Sequence, residues 1–274
     1  MRYGIELVPF GEFANPRAAI DLALAAERAG WDGFFTWDHA AFVEGMASGE
    51  AFVTLAAVAA VTSRLRLGTF VTALPRRGPH LVAHALAALD QLSQGRLIFS
   101  AGAGGVEREF TAFGQPGDIA TRAVMLDEGQ EVLDRLLRGQ TVDHVGRHYV
   151  VDGVTLSPAP VQQPRPPIWS GGMSRAGMRR AARWDGWAAS IAQPDGSMSR
   201  TPEQFADDVA YLVAHRDRGE EGFEVTVDGV TAPGDATLPR AYAAAGATWW
   251  LEAIHGMRGS REDLLRRIDA GPPR

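Results

Sequence analysis

Three stretches of this chain hold residues whose types and spacing suit chemistry. Trp37-Asp38-His39 sets an imidazole beside a carboxylate. Histidine titrates near neutrality and can both take and deliver a proton, and a neighbouring carboxylate can orient the ring or stabilise its charge. Ser100-Ala101-Gly102-Ala103-Gly104-Gly105 and Trp169-Ser170-Gly171-Gly172-Met173-Ser174-Arg175 are glycine-rich. Backbone without side chains can approach a ligand closely and present its N–H groups, which suits a phosphate or the face of a flat ring. The second of these opens a helix, whose N-terminus favours anions, and Arg108 after the first can meet an anionic group. Each stretch also has a plainer reading: a capping Asp beside a hydrogen-bonded His, and two tight strand-to-helix turns.

Other constellations carry less. Glu6 and Glu252 fall on segments read as neighbouring strands, as a hydrolase carboxylate pair would, but separate polar contacts or a buried hydrogen-bonded pair are favoured. His80 and His84 have the i, i+4 spacing of zinc peptidases, but Leu81 stands where the glutamate should follow, so no metal is expected. His144 and His148 flank a hairpin turn and read as surface residues.

Absences narrow the chemistry further. The chain has no cysteine and no lysine; all 27 basic residues are arginine. Thiolate nucleophiles, Cys-ligated metals, Schiff bases and the Walker-type phosphate loop are thereby excluded. Main-chain amides become the expected phosphate ligands. A net charge of −6 with no basic stripe argues against nucleic acid. No apolar run is long enough to span a bilayer. The first apolar segment, 3–10, lacks the features of a secretory signal, so a cytoplasmic protein without membrane contact is expected.

The elements that must position these residues alternate strictly. Apolar strands are predicted over 2–8, 33–37, 65–71, 96–101, 168–170, 186–191, 223–230 and 248–254. Helices are predicted over 16–29, 50–62, 79–92, 121–138, 175–183, 202–216, 236–245 and 260–269. Asn15 before Pro16 reads as an N-cap and Gly30 as a helix C′ residue. Eight strand–helix units argue for an α/β fold closed into a (β/α)8 TIM barrel, and 274 residues suit a single domain, 1–274. A small hairpin over 141–154, turning at Val145-Gly146-Arg147, interrupts the rhythm between helix 4 and strand 5. Ala29-Gly30-Trp31-Asp32-Gly33 is echoed by Arg183-Trp184-Asp185-Gly186-Trp187 at another strand entrance. In such a barrel the active site lies at the C-terminal strand ends, where the three stretches fall.

Taken together, Glu27-Arg28-Ala29-Gly30-Trp31-Asp32-Gly33, Trp37-Asp38-His39, Arg66-Leu67-Gly68-Thr69-Phe70-Val71-Thr72, Leu89-Asp90-Gln91-Leu92-Ser93-Gln94-Gly95-Arg96, Gly102-Ala103-Gly104 and Arg165-Pro166-Pro167-Ile168-Trp169-Ser170-Gly171-Gly172 resemble the luciferase-like superfamily of flavin- and deazaflavin-dependent oxidoreductases, over nearly the whole chain. The resemblance implies a non-prolyl cis peptide at Phe70–Val71, forming with Thr69 a bulge against the cofactor ring. It implies a phosphate cradle from Gly102, Ala103, Gly104, Ser170, Gly171, Gly172 and Met173. The Asp-His pair resembles the coenzyme F420 branch, in which His39 is the acid or base at the redox centre and Asp38 supports it. Hydride transfer between F420 and a small organic substrate is then expected. The alternative is an FMN-dependent monooxygenase fed with reduced flavin by a partner reductase. Glu12 loosely matches a pocket-lining acid, and Trp37 stands beside it as a pocket residue. Gly105 stands where some deazaflavin dehydrogenases carry a catalytic Glu, which argues against their sugar-phosphate substrate. A homodimer is common in the family. Rivals from other classes are a carboxylate hydrolase and a non-catalytic cofactor-binding protein. Phe10, Phe13, Trp37, Phe42, Phe70 and Trp169 are candidates for an apolar pocket.

Overall fold

The computed structural model describes residues 1–217 and 219–274. Its strands are β1 Arg2–Leu7, β2 Gly33–Thr36, β3 Arg66–Thr69, β4 Thr72–Ala73, β5 Leu97–Gly102, β6 Thr141–Val145, β7 Val150–Thr155, β8 Ile168–Gly171, β9 Gly186–Ala189, β10 Glu224–Gly229 and β11 Trp249–Ile254. Hydrogen bonding runs β3-β2-β1-β11-β10-β9-β8-β5-β4, and β3 also pairs with β5, which closes the sheet. All these pairings are parallel. With β3 and β4 taken as one interrupted strand, this is the eight-stranded barrel the sequence predicts. β6 and β7 form the separate antiparallel hairpin.

Around the barrel lie α1 Pro16–Ala29, α2 Ala51–Val61, α3 Leu74–Arg77, α4 Pro79–Leu92, α5 Arg108–Thr111, α6 Ile119–Leu137, α7 Arg175–Ala181, α8 Pro202–Val213, α9 Thr237–Ala244 and α10 Arg261–Asp269. Local chemistry fixes their ends. The Asn15 side chain accepts from Arg17 N, and Gly30 ends α1 at φ 84°, a left-handed turn that glycine enters without steric cost. Thr201 with Gln204 and Ser260 with Asp263 form reciprocal capping boxes at α8 and α10. The echoed motif has a shared duty. Asp32, just before β2, accepts from Tyr3 N on β1, and Asp185, just before β9, accepts from Ile168 N on β8, each at 2.8 Å. Each carboxylate satisfies the first free amide of the neighbouring strand.

The barrel interior is filled from below by Phe35, Phe70, Ile98, Trp169, Trp249 and Leu251, all buried. This corrects the expectation that Phe70 and Trp169 face a pocket: the Phe35 and Trp169 rings stack at 5.6 Å within that core. His144 and His148 are half-buried rather than on the surface. Glu128 on α6 accepts from the amides of His148 and Tyr149 and bonds the His144 ring at 3.0 Å, pinning the hairpin to the barrel. His80 and His84 are exposed on α4, and no metal-competent cluster occurs among the described residues. No helix of the described residues is long and apolar enough to cross a membrane.

Candidate active site

The predicted strand 65–71 is interrupted between β3 and β4, where the Phe70–Val71 peptide is cis. Pairing resumes at β4, where Thr72 meets Ala101 and Ala73 meets Gly102. The Val71 side chain then lies between two glycine-rich strand ends. A Cβ built on Gly102 would stand 2.6 Å from Val71 Cγ2, and one on Gly171 3.2 Å from Val71 Cγ1. At these two positions glycine is first of all what lets the bulge pack. Gly104 (φ 82°) and Gly172 (φ 130°) adopt backbone conformations that side chains rarely enter. Ala101 pairs with Ser170, so the two glycine-rich ends lie side by side at the barrel mouth. Thr69, Phe70, Gly102, Ser170 and Gly171 are buried, whereas Val71, Ala103, Gly104, Gly172 and Met173 are partly or fully accessible. The helix expected to add an anion site here, α7, has only seven residues, and Ser174 already takes its Gly177 N–H. Arg108 is exposed and pairs with Glu44 at 3.2 Å, away from the cradle.

Beside this cradle stands a charged cluster that the sequence reading only half anticipates. His39 Nδ1 lies 2.8 Å from Glu109 Oε2. Glu109 Oε1 accepts from the amides of Ala40 (2.7 Å) and Ala41 (2.8 Å), and Arg76 Nη1 holds Oε2 at 2.8 Å. Burial alone would raise the Glu109 carboxyl; the Ala41 amide, the His39 ring and the Arg76 charge outweigh it and hold it below its ordinary range. A carboxylate in that state accepts from Nδ1–H, which leaves Nε2 as the nitrogen able to exchange a proton. Asp38 does not touch the ring. Its carboxylate bonds Arg77 Nε at 2.8 Å and Nη2 at 2.5 Å, with Arg76 2.9 Å away. The supporting carboxylate expected of Asp38 thus lies on Arg77 and Arg76, and the carboxylate on the His39 ring is that of Glu109. Glu109 sits on α5, one turn of helix absent from the predicted elements. Its signal was an acid shortly after a glycine-rich strand end, with an Arg pair at the neighbouring end.

Beyond the Phe10, Trp37 and Phe42 rings that pack on His39 is a cavity of about 400 Å³. It opens between the C-terminal ends of β1, β2, β10 and β11. Trp37 and Glu12 line it, with Phe10, Phe13, Phe42, Met46, Val230 and Met257. Phe42 lies edge-on to the His39 ring at 4.8 Å, Trp37 is 5.6 Å away, and Phe10 stacks on Phe42 at 5.2 Å. The loop bearing Phe42 and Met46 is held over the first strand's exit by the Phe10–Ser48 bridge and by Ser48 Oγ donating to His39 O at 2.6 Å. Glu6 and Asp228 close the floor.

Glu252 does not join Glu6. Parallel register aligns Glu6 with Ala253 and Ile5 with Glu252, so successive residues alternate faces. Ala253 lines the cavity with Glu6, whereas Glu252 accepts from Thr231 and pairs with Arg258 at 2.8 Å and Arg267 at 3.3 Å.

Comparison with known proteins agrees with this architecture. An uncharacterised protein of Mycobacterium tuberculosis is 34% identical over 194 residues, 64% of this chain and 66% of that protein, just under two thirds of its length. The coenzyme F420 dependent tetrahydromethanopterin reductase from Methanopyrus kandleri superposes with a TM-score of 0.79 at 17% identity, covering 98% of this chain and 96% of that one. The oxygenating constituent of 3,6-diketocamphane monooxygenase from Pseudomonas putida, a complex with FMN, gives a TM-score of 0.78 at 13% identity, covering 98% and 97%. At these identities the structural likeness is one of fold. The family model for luciferase-like monooxygenases matches residues 4–269, and the chain belongs to that family.

Proposed function

We propose that this chain is a hydride-transferring oxidoreductase that uses coenzyme F420 and acts on a small organic molecule held in the aromatic cavity. The observation that carries this reading is the His39–Glu109 pair at 2.8 Å, whose imidazole packs against Phe10, Trp37 and Phe42, three rings that line the cavity. The residues present fit such a cofactor. The cradle offers accessible backbone at Ala103, Gly104 and Gly172, where added Cβ atoms at Gly104 and Gly172 would meet Phe110 at 2.5 Å and Gly177 at 3.2 Å, so bare backbone faces the mouth. Gly102, Ala103, Gly104, Ser170, Gly171, Gly172 and Met173 would hold its phosphate, and Val71 with the backbone of Thr69 and Phe70 its ring. When bound, the deazaflavin supplies the hydride chemistry. The chain's own part is to orient His39 through Glu109, to keep its Nε2 ready to exchange a proton, and to exclude water with Phe10, Trp37 and Phe42. Asp38 sets Arg76 and Arg77 behind that pair.

An FMN-dependent monooxygenase is the second reading, favoured by the family's description and by the FMN complex among its structural neighbours. It requires a reductase partner; a homodimer accompanies either reading. The carboxylate hydrolase is disfavoured by the register that separates Glu6 from Glu252. The deciding experiment is a fluorescence titration of the purified chain with F420 and FMN side by side. Tight F420 binding with weak FMN binding is expected; preference for FMN overturns the cofactor assignment, and binding of neither overturns the redox reading.

A further inference from the structure

The cavity floor carries two carboxyl groups that the fold treats differently. Asp228 is surrounded by donors: Ser190 Oγ at 2.9 Å, Ile191 N at 2.6 Å and Ala192 N at 3.0 Å. Among the described residues Glu6 receives only the Trp37 indole N–H, on Oε1, and its Oε2 has no partner although it is fully buried. Two carboxyls facing one apolar chamber do not both ionise readily, and a single negative charge settles where the donors are. Asp228 has three donors and Glu6 one, so the charge belongs on Asp228 and the proton on Glu6.

The walls add a second constraint. They are mostly apolar, and among the described residues no arginine lines the cavity. Arg258, the nearest cation to His255, is turned to Glu252 and the Ala253 carbonyl. The chamber therefore offers an anion no counter-charge. It offers a cation Asp228, already occupied by three donors, and Glu12 only at the exposed rim.

We propose that Glu6 is the specificity-determining residue of this cavity, presenting a carboxylic O–H from Oε2 to the single acceptor oxygen of an uncharged, otherwise apolar substrate, such as a ketone or the corresponding alcohol. This names the substrate class and rests on the cavity being the substrate chamber of the oxidoreductase proposed above. Titration behaviour agrees with the geometry. Burial, then the charge of Asp228, pushes the Glu6 carboxyl well above its ordinary value against the lowering effect of Trp37. Burial also raises Asp228, but its amide and Ser190 partners oppose it. The other titratable groups on the cavity are Glu12 at the rim and His255, which burial and then Arg258 hold below the usual imidazole range and hence uncharged at neutral pH.

The test is probe binding to the full chain without cofactor, so that its outcome is separable from the cofactor titration. The probes are tert-butylcyclohexanone and its carboxylate and ammonium counterparts, followed by intrinsic tryptophan fluorescence. The ketone should bind at least about tenfold more tightly than either charged probe, the equivalent of one good hydrogen bond. Glu6→Gln, which keeps a neutral donor, should hold ketone affinity within about threefold, while Glu6→Leu should lose about tenfold or more. In the parent chain ketone affinity should fall as pH rises through the ionisation of Glu6, and in Glu6→Gln it should not. Equal or tighter binding of a charged probe overturns the substrate class. Unchanged ketone affinity in folded Glu6→Leu overturns the role of Glu6.

Discussion

Glu109 and Glu6 are both buried carboxyls at the same barrel mouth, yet their surroundings drive them to opposite states. Glu109 is held by two amides, an imidazole and a guanidinium. Glu6 has one indole N–H and a neighbouring carboxyl. The number of donors aimed at each oxygen decides the outcome, because burial penalises the charge in both cases. The first arrangement makes a fixed anion that orients a histidine. The second makes a neutral acid with an oxygen left over for a ligand.

The comparison breaks most visibly if Glu109 is removed. Glu109→Ala leaves the amides of Ala40 and Ala41 without their partner and Arg76 with Asp38 alone, and should cost about 3–5 kcal/mol in urea unfolding. A loss under about 1 kcal/mol would mean the cluster re-pairs without it. Glu6→Gln should instead be nearly neutral at acid pH and become progressively more stable than the parent as pH rises. The sign follows from linkage: a carboxyl whose folded pKa is raised stabilises fully below its ordinary 4.5, and that contribution is lost as pH climbs toward the folded value. Glu109 has the opposite sign. Its lowered pKa gives stability that is present above 4.5 and lost as pH falls through the folded value, so Glu109→Gln should flatten the acid limb of the parent's stability curve. Stability measured against pH for the three chains checks both signs at once. Trp37→Phe removes the indole donor to Glu6 and should cost about 1 kcal/mol by thermal unfolding, with the ionisation of Glu6 moving further up. Glu12→Gln, at the exposed rim, should change stability by less than about 0.5 kcal/mol.

Much of this architecture is legible in the sequence where local chemistry decides. Asn15, Pro16 and Gly30 bound α1, and Pro79–Leu92 is helical over the predicted range. The alternation of apolar strands and helices suffices to call the barrel. Legibility fails where partners come from far along the chain. Glu109 meets His39 across 70 residues, from a helix too short to show periodicity. Asp38 sits beside His39 in sequence, but Arg77 claims its carboxylate. Glu6 and Glu252 look alike as acids on adjacent strands until register assigns them opposite faces. Phe70 and Trp169, promising as pocket aromatics, are taken by the lower core, whereas Phe10 and Phe42 reach the cavity because a loop bridge holds them there.

The contrast between the two carboxyls is most directly tested by infrared difference spectroscopy at neutral pH, comparing the parent chain with Glu6→Gln and with Glu109→Gln. Glu6→Gln should remove a protonated carboxylic C=O band, and Glu109→Gln should remove carboxylate bands. A carboxylate band lost in Glu6→Gln, or a protonated C=O band lost in Glu109→Gln, would contradict it.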